Sequence, residues 1–143
     1  MNDRFYGTAV AISFAVVATT LGCRNANELD TAPVSGRVLL NGKPLSTGTV
    51  TFVPNRGRVA NGDIQSDGTF ELSTYRSHDG AIVGSHKAAV LVLRPDIDPT
   101  VGPERDKPPM LIPPRYATAE ESGLKYEVKA GQDNKFTLEL HDP

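Results

Sequence analysis

The chain has 143 residues, which is the length of one typical domain. Hydrophobic residues make up 38% of it and charged residues 22%, so it has enough apolar material for one modest core and is not a disordered chain. A net charge of −2 excludes a general electrostatic attraction to nucleic acid. The single Cys excludes an internal disulfide framework and a zinc site built on cysteine pairs. Thirteen glycines and eleven prolines favour short elements joined by turns, as in a small all-β domain.

Residues 1–22 have the features of an export signal. An apolar run at 9–18 is too short for a membrane span, which needs about 20 residues, but suits a secretory signal. It leads into Leu21, Gly22 and Cys23, and this segment resembles the signal of bacterial lipoproteins, in which aliphatic and small residues precede the Cys. The resemblance implies cleavage before Cys23 and an anchor of more than one acyl chain, palmitate among them, on that residue. The alternative is an ordinary cleavable signal followed by a free or buried Cys.

The remainder is predicted to be a polar tether at 23–32 and one domain at 33–141. Segments of the domain alternate apolar and polar residues, which is typical of half-buried β-strands. The predicted strands are 34–40, 48–54, 63–66, 69–74, 86–93, 124–130 and 135–141. The dipeptides Asn41-Gly42 and Asp67-Gly68 predict tight turns. We therefore expect an all-β fold, an antiparallel β-sandwich of about seven strands.

A proline-rich segment interrupts this pattern at 94–115, where seven of the eleven prolines lie. Proline removes the N–H that a central strand donates to its neighbour. The segment is therefore predicted to be a long, semi-rigid surface loop.

Four segments together resemble the carboxypeptidase regulatory-like, transthyretin-like family of β-sandwiches. They are VSGRVLLNGKPLSTGTVTFVP at 34–54, SDGTF at 66–70, GSHK at 84–87 and NKFTL at 134–138. The resemblance implies a transthyretin (prealbumin)-like sandwich carried by a short bacterial lipoprotein. It also implies a non-catalytic role, because these motifs specify turns and core positions rather than chemistry.

Residues 75–79 contain the residue types of a hydrolytic site. Ser77, His78 and Asp79 are those of a catalytic triad, but consecutive side chains diverge, whereas a triad must converge in space. Tyr75-Arg76-Ser77 faintly resembles the terminal motif of transthyretin-related hydroxyisourate hydrolases, although here it is internal. A solvated loop is the simpler interpretation.

A divalent-metal site is a further hypothesis, with His78, Asp79 and His86 as ligands. None of the tight histidine spacings typical of metal sites supports it, and the alternative is exposed histidines. Asp63, Asp67 and Asp79 raise the possibility of calcium, but the EF-hand pattern is absent and carboxylates in turns explain them better.

Tyr75 and Tyr116 are expected to be exposed aromatics that could contact a sugar or a protein. The alternative for Tyr116 is that it pins the proline-rich loop to the sandwich.

Three functions remain open at this point. The first is a non-catalytic, lipid-anchored module outside the cytoplasm, on the periplasmic face or cell surface, that binds another envelope protein or a glycan without a cofactor. The second is a carrier of a small ligand or divalent metal that uses the 75–86 loop. The third is a relic of a transthyretin-related hydrolase.

Overall fold

A computed structural model describes residues 27–93 and 111–142 of the protein. The predicted signal segment with Leu21, Gly22 and Cys23 lies outside these residues, as does most of the proline-rich segment. Ten strands are described: β1 (Thr31–Ala32), β2 (Val34–Leu40), β3 (Lys43–Pro44), β4 (Thr49–Pro54), β5 (Ala60–Asp63), β6 (Thr69–Glu71), β7 (Ala81–Ile82), β8 (Gly84–Leu91), β9 (Lys125–Val128) and β10 (Asn134–Leu140).

The strands form two four-stranded sheets and one small two-stranded sheet. In sheet I, β2 lies between β10 on one side and both β3 and β6 on the other. Sheet II has the strand order β5-β4-β8-β9. In the third sheet, β1 pairs with β7. The prediction of an all-β fold is confirmed.

The core lies between sheets I and II. The alternation seen in the sequence places one side chain in two inward, so Val38 of β2, Val50 and Phe52 of β4, and Leu138 of β10 are fully buried. The ring centroid of Phe52 lies 6.5 Å from that of Phe70 on β6 and 6.0 Å from that of Phe136 on β10. These contacts join the two sheets through aromatic rings.

Three details of the strand prediction need correction. The described residues contain ten strands rather than about seven, because short pairings such as β1–β7 add to the long ones. The strand predicted at 63–66 is β5 at Ala60–Asp63, which ends where the prediction begins. The sheets are not wholly antiparallel, because β10 runs parallel to β2 with Asn134 opposite Val34 and Leu140 opposite Leu40.

Both predicted turns are present. Asn41 and Gly42 have φ angles of 50° and 80°, the paired positive values of a type I′ hairpin turn between β2 and β3. Gly68 has a φ of 85° in the turn before β6. Here the Asp67 carboxylate accepts bonds from both the backbone N–H and the hydroxyl of Thr69. The Thr69 hydroxyl is the main cause that lowers the pKa of Asp67 below its ordinary value.

Gly36, in the middle of β2, allows a close approach of three strands. A side-chain Cβ at this position would lie 2.9 Å from two ring atoms of Phe70 and closer still to the backbone oxygen of Phe136. Only glycine therefore fits between β6 and β10 at this point.

The folded region begins earlier than the predicted boundary at residue 33. The backbone N–H of Leu29 donates to the Tyr75 hydroxyl, and the carbonyl of Asp30 accepts a bond from the N–H of Val83. Arg76 forms an ion pair with Glu28 at 2.7 Å. The end of the predicted tether is thus fixed to the loop and strand at residues 75–83.

The far end of the proline-rich segment is also fixed to the fold. The N–H of Leu111 donates to the carbonyl of Val92, Ile112 is buried, and Pro114–Ala117 forms one turn of 3₁₀ helix. Leu111 thus lies beside Val92, just after the end of β8.

Candidate functional site

The structure places Ser77, His78 and Asp79 in one loop without forming a triad. The Asp79 carboxylate accepts hydrogen bonds from the backbone N–H groups of residues 74, 75 and 76, at 2.6 to 3.0 Å. His78, with a positive φ of 60°, turns away, and its Nδ1 lies 2.6 Å from a carboxylate oxygen of Glu71. Asp79 therefore shapes the loop, as predicted for a turn carboxylate, rather than orienting a histidine.

His86 is buried and not exposed, which corrects the interpretation of it as a surface histidine. Its side chain lies against the ring of Phe52, and its Nε2 is 2.6 Å from the carbonyl oxygen of Ile82. Since a carbonyl accepts, Nε2 carries a proton. Its Nδ1 has no hydrogen-bond partner among the described residues. Burial is the largest effect on this group and lowers the pKa of His86; the bond to Ile82 and the charge of Glu127 oppose it.

The three proposed metal ligands are not brought together. Asp79 accepts hydrogen bonds from backbone N–H groups, and His78 contacts Glu71. His86 is buried and bonds to the carbonyl of Ile82. Within residues 27–93 and 111–142, no group of three or more His, Cys, Asp or Glu side chains is arranged to hold a metal ion.

The two tyrosines anchor segments of the chain. Tyr75 is half-buried and accepts the N–H of Leu29, so it holds the start of the fold. Tyr116 is 4% exposed, which corrects the prediction of an exposed aromatic and agrees with its alternative role as a pin. Its hydroxyl accepts bonds from the backbone N–H of His141 and from Arg115, whose guanidinium also lies 4.8 Å from the ring centroid. Burial alone would raise the pKa of Tyr116, but these two donors lower it below its ordinary value.

A broad concave surface lies elsewhere, on the outer face of sheet I. We call it the polar groove: an open hollow of about 990 Å³ that crosses β10, β2, β6 and β5. It is lined by the strand residues whose side chains point away from the core. They are Lys135 and Thr137 of β10, Ser35 and Arg37 of β2, Thr69 and Glu71 of β6, and Asn61 and Asp63 of β5.

The groove is continuous because the two large sheets meet at its far side. Asn61 of β5 and Ser73, which follows β6, exchange two backbone hydrogen bonds of 2.9 and 3.0 Å. Gly62 makes this approach possible, since a Cβ there would meet the carbonyl of Glu71. Beyond this junction Thr51 of β4 donates to the Asn61 side chain at 2.8 Å. Polar side chains from both sheets therefore form one surface.

Positive and negative charges lie on neighbouring strands of the polar groove. Arg37 and Lys135 lie on the β2–β10 side, whereas Glu71 and Asp63 lie on the β6–β5 side. Glu71 is paired with His78, and Asp63 accepts the hydroxyl of Thr49 at 3.4 Å. This site could not be predicted from the sequence alone, because it depends on which strands are neighbours. The signal present in the sequence is that the outward residues of four predicted strands are hydrogen-bonding or charged.

Comparisons with known proteins do not identify a family for this chain. No family model, no curated protein and no solved structure matches the chain. Within residues 27–93 and 111–142, no helix has the length and apolar character needed to span a membrane.

Proposed function

We propose that the protein is a non-catalytic binding module of transthyretin-like β-sandwich architecture, exported and lipid-anchored through Cys23, which binds an envelope component in the polar groove. The observation that carries this proposal is the groove itself. It is an open hollow of about 990 Å³, and side chains from four strands present donors and acceptors to it. Strands hold these groups more rigidly than a loop does, and rigid presentation reduces the entropy lost on binding.

The arrangement of the histidines supports binding rather than catalysis. A nucleophilic mechanism needs a nucleophile, a base and an orienting group within hydrogen-bond reach of one another. His78, the histidine at the groove, uses its Nδ1 to pair with Glu71, while its backbone N–H donates to the Ser73 hydroxyl. Both contacts stabilise the wall of the groove.

The position of the anchor supports an envelope partner. Five residue steps separate Cys23 from Glu28, where the chain is first held by an ion pair, and a chain of that length spans at most about 18 Å. Pro33, just beyond β1, lines a small hollow together with His78 and Lys135 at one end of the groove. With Cys23 lipidated, the groove would lie close to the membrane surface.

The binding role is tested by obstructing the groove. Thr137 is exposed on β10, so Thr137→Trp places a bulky ring over the surface without replacing a buried residue. The matched control is Lys125→Trp on β9, an exposed strand position outside the groove. Purified protein is immobilised and incubated with solubilised glycans and proteins from the envelope of its host. The proposal expects a bound component that Thr137→Trp loses and Lys125→Trp keeps; equal capture by all three proteins, or none by any, would refute it.

The anchor is tested separately by the intact mass of protein extracted with detergent from host membranes. The proposal expects the mass of the chain from Cys23 plus acyl groups, and loss of membrane association in Cys23→Ser. An unmodified cleaved chain would refute the anchor but leave the binding role standing.

A further inference from the structure

Among the described residues, the two cations and two carboxylates that line the polar groove differ in their contacts. Its acidic side is already supplied with donors, since Glu71 pairs with His78 and Asp63 accepts a hydroxyl. The two cations of the groove, in contrast, have no acceptor of this kind. Neither Arg37 nor Lys135 forms a hydrogen bond or ion pair with any residue in 27–93 or 111–142. The field of Arg37 makes only the smallest contribution to the lowered pKa of Asp67.

The two cations are close enough to act on one anionic group. In the parallel pairing of β2 with β10, Ser35 lies opposite Lys135 and Arg37 lies opposite Thr137. Arg37 and Lys135 are therefore diagonal neighbours on the same face. With strands about 4.8 Å apart and a rise of about 3.3 Å per residue, their Cα atoms are about 8 Å apart. Both side chains are long enough to reach a carboxylate placed above Thr137 on β10, away from Glu71, which lies opposite Ser35 on β6.

The groups around this pair are suited to a polyhydroxylated ligand. The hydroxyls of Ser35, Thr137 and Thr69 can each donate and accept, and the amides of Asn61 and Gln65 extend the row toward β5. Protein interfaces rely on large apolar or aromatic anchors at their centre. The large hydrophobic side chains most exposed in the described residues, Val59, Leu91, Leu93 and Leu111, lie outside the groove.

We infer that the ligand of the polar groove is an oligosaccharide bearing a carboxylate, with the carboxylate held by Arg37 and Lys135 and the sugar hydroxyls by the polar side chains of β2, β10 and β5. This inference rests on the proposed binding function and specifies its ligand class. The guanidinium of Arg37 can hold a carboxylate by two parallel hydrogen bonds, while Lys135 acts as a point charge. Binding is consequently expected to weaken as salt is added.

The test measures binding of uronate tetrasaccharides to the purified full-length protein by isothermal titration calorimetry. The probes are oligomers of galacturonate, glucuronate, mannuronate and guluronate, each compared with its own methyl ester. The ester keeps the sugar rings and hydroxyls but removes the charge. At least one acidic probe is expected to bind, and its ester about tenfold or more weaker, because a charge-assisted contact is lost. Arg37→Ala and Lys135→Ala should each weaken the acidic probe by a similar factor, and the exposed cation control Lys125→Ala should not.

The possible outcomes distinguish the role of the carboxylate, the class of ligand and the binding function. Equal binding of acid and ester, or insensitivity to both Arg37→Ala and Lys135→Ala, would overturn the assigned role of the carboxylate. Failure of every acidic probe, with an envelope protein captured in a manner that Thr137→Trp abolishes, would overturn the sugar ligand while the binding function stands. Since both cations are exposed, their variants should fold, and circular dichroism of each variant checks this directly.

Discussion

The tight contact at Gly36 makes a quantitative prediction about Gly36→Ala. The new methyl group would lie 2.9 Å from two atoms of the Phe70 ring, whereas carbon atoms pack at about 3.5 to 4.0 Å. The ring must therefore retreat by about 0.6 to 1.1 Å, and the backbone oxygen of Phe136 must move as well. Overpacking of a core costs about 1 to 3 kcal/mol, and movement of a paired strand places this case at about 3 kcal/mol or above.

Thermal unfolding followed by circular dichroism measures this cost. For a domain of this size a loss of about 3 kcal/mol lowers Tm by roughly 10 to 15 °C. The control is Gly131→Ala in the loop before β10. There φ is +70° and no atom lies within 4 Å of the new Cβ, so only the left-handed backbone is penalised, by about 1 to 2 kcal/mol. A smaller loss for Gly36→Ala than for Gly131→Ala would refute the account of strand packing at β2.

Three other substitutions test the local structure. Asp79→Ala removes the acceptor of three backbone N–H groups and should cost about 2 kcal/mol in urea unfolding; a loss below about 0.5 kcal/mol would mean that the loop is held by other contacts. Because burial lowers the pKa of His86, the unfolded chain binds a proton that the folded chain rejects. The stabilisation that comes from keeping His86 neutral is therefore fully present above about pH 6.5, the ordinary pKa of histidine. It is lost as the pH falls through that value toward the lower pKa of His86 in the folded protein. His86→Gln, which retains a donor for the Ile82 carbonyl, should show a smaller fall between pH 7.5 and 5.5 in the urea midpoint, and parallel curves would contradict this. Tyr116→Phe keeps the buried ring but leaves the N–H of His141 without its partner, so Tm should fall by the equivalent of about 1 kcal/mol; an unchanged Tm would show that the ring alone pins this segment.

Much of the fold follows from local pattern. Alternation identified the inward set of β4, Val50 and Phe52, because one side chain in two must leave solvent whatever the neighbouring strand is. Asn41-Gly42 identified its hairpin because few other residues adopt two successive positive φ angles. In contrast, the parallel direction of β10 is not encoded in its own alternation. It depends on the partner, which lies about a hundred residues away.

In the candidate site, too, some features follow from local sequence and others depend on distant partners. The interpretation of Asp79 as a turn carboxylate was available from the sequence, because Asp before Gly at a chain reversal accepts nearby N–H groups. Tyr116 was predicted to be exposed and is buried, because no local pattern reveals that its hydroxyl accepts the backbone N–H of His141, 25 residues away. Arg37 and Lys135 are unremarkable surface residues in sequence. They become a pair only when the register of β2 against β10 is known.

The pairing of β10 with β2 also constrains how the protein folds. Pairing that joins residues about a hundred positions apart must overcome a large loop-closure entropy, so the folding rate is expected to be low for a domain of this size. Leu138 and Leu140, both fully buried, enter the core only when β10 docks. A chain emerging from a ribosome or a translocation channel would thus leave one edge of β2 and the apolar interior open until Leu140 has appeared. During that interval the open edge of β2 is the surface through which two incomplete chains would aggregate.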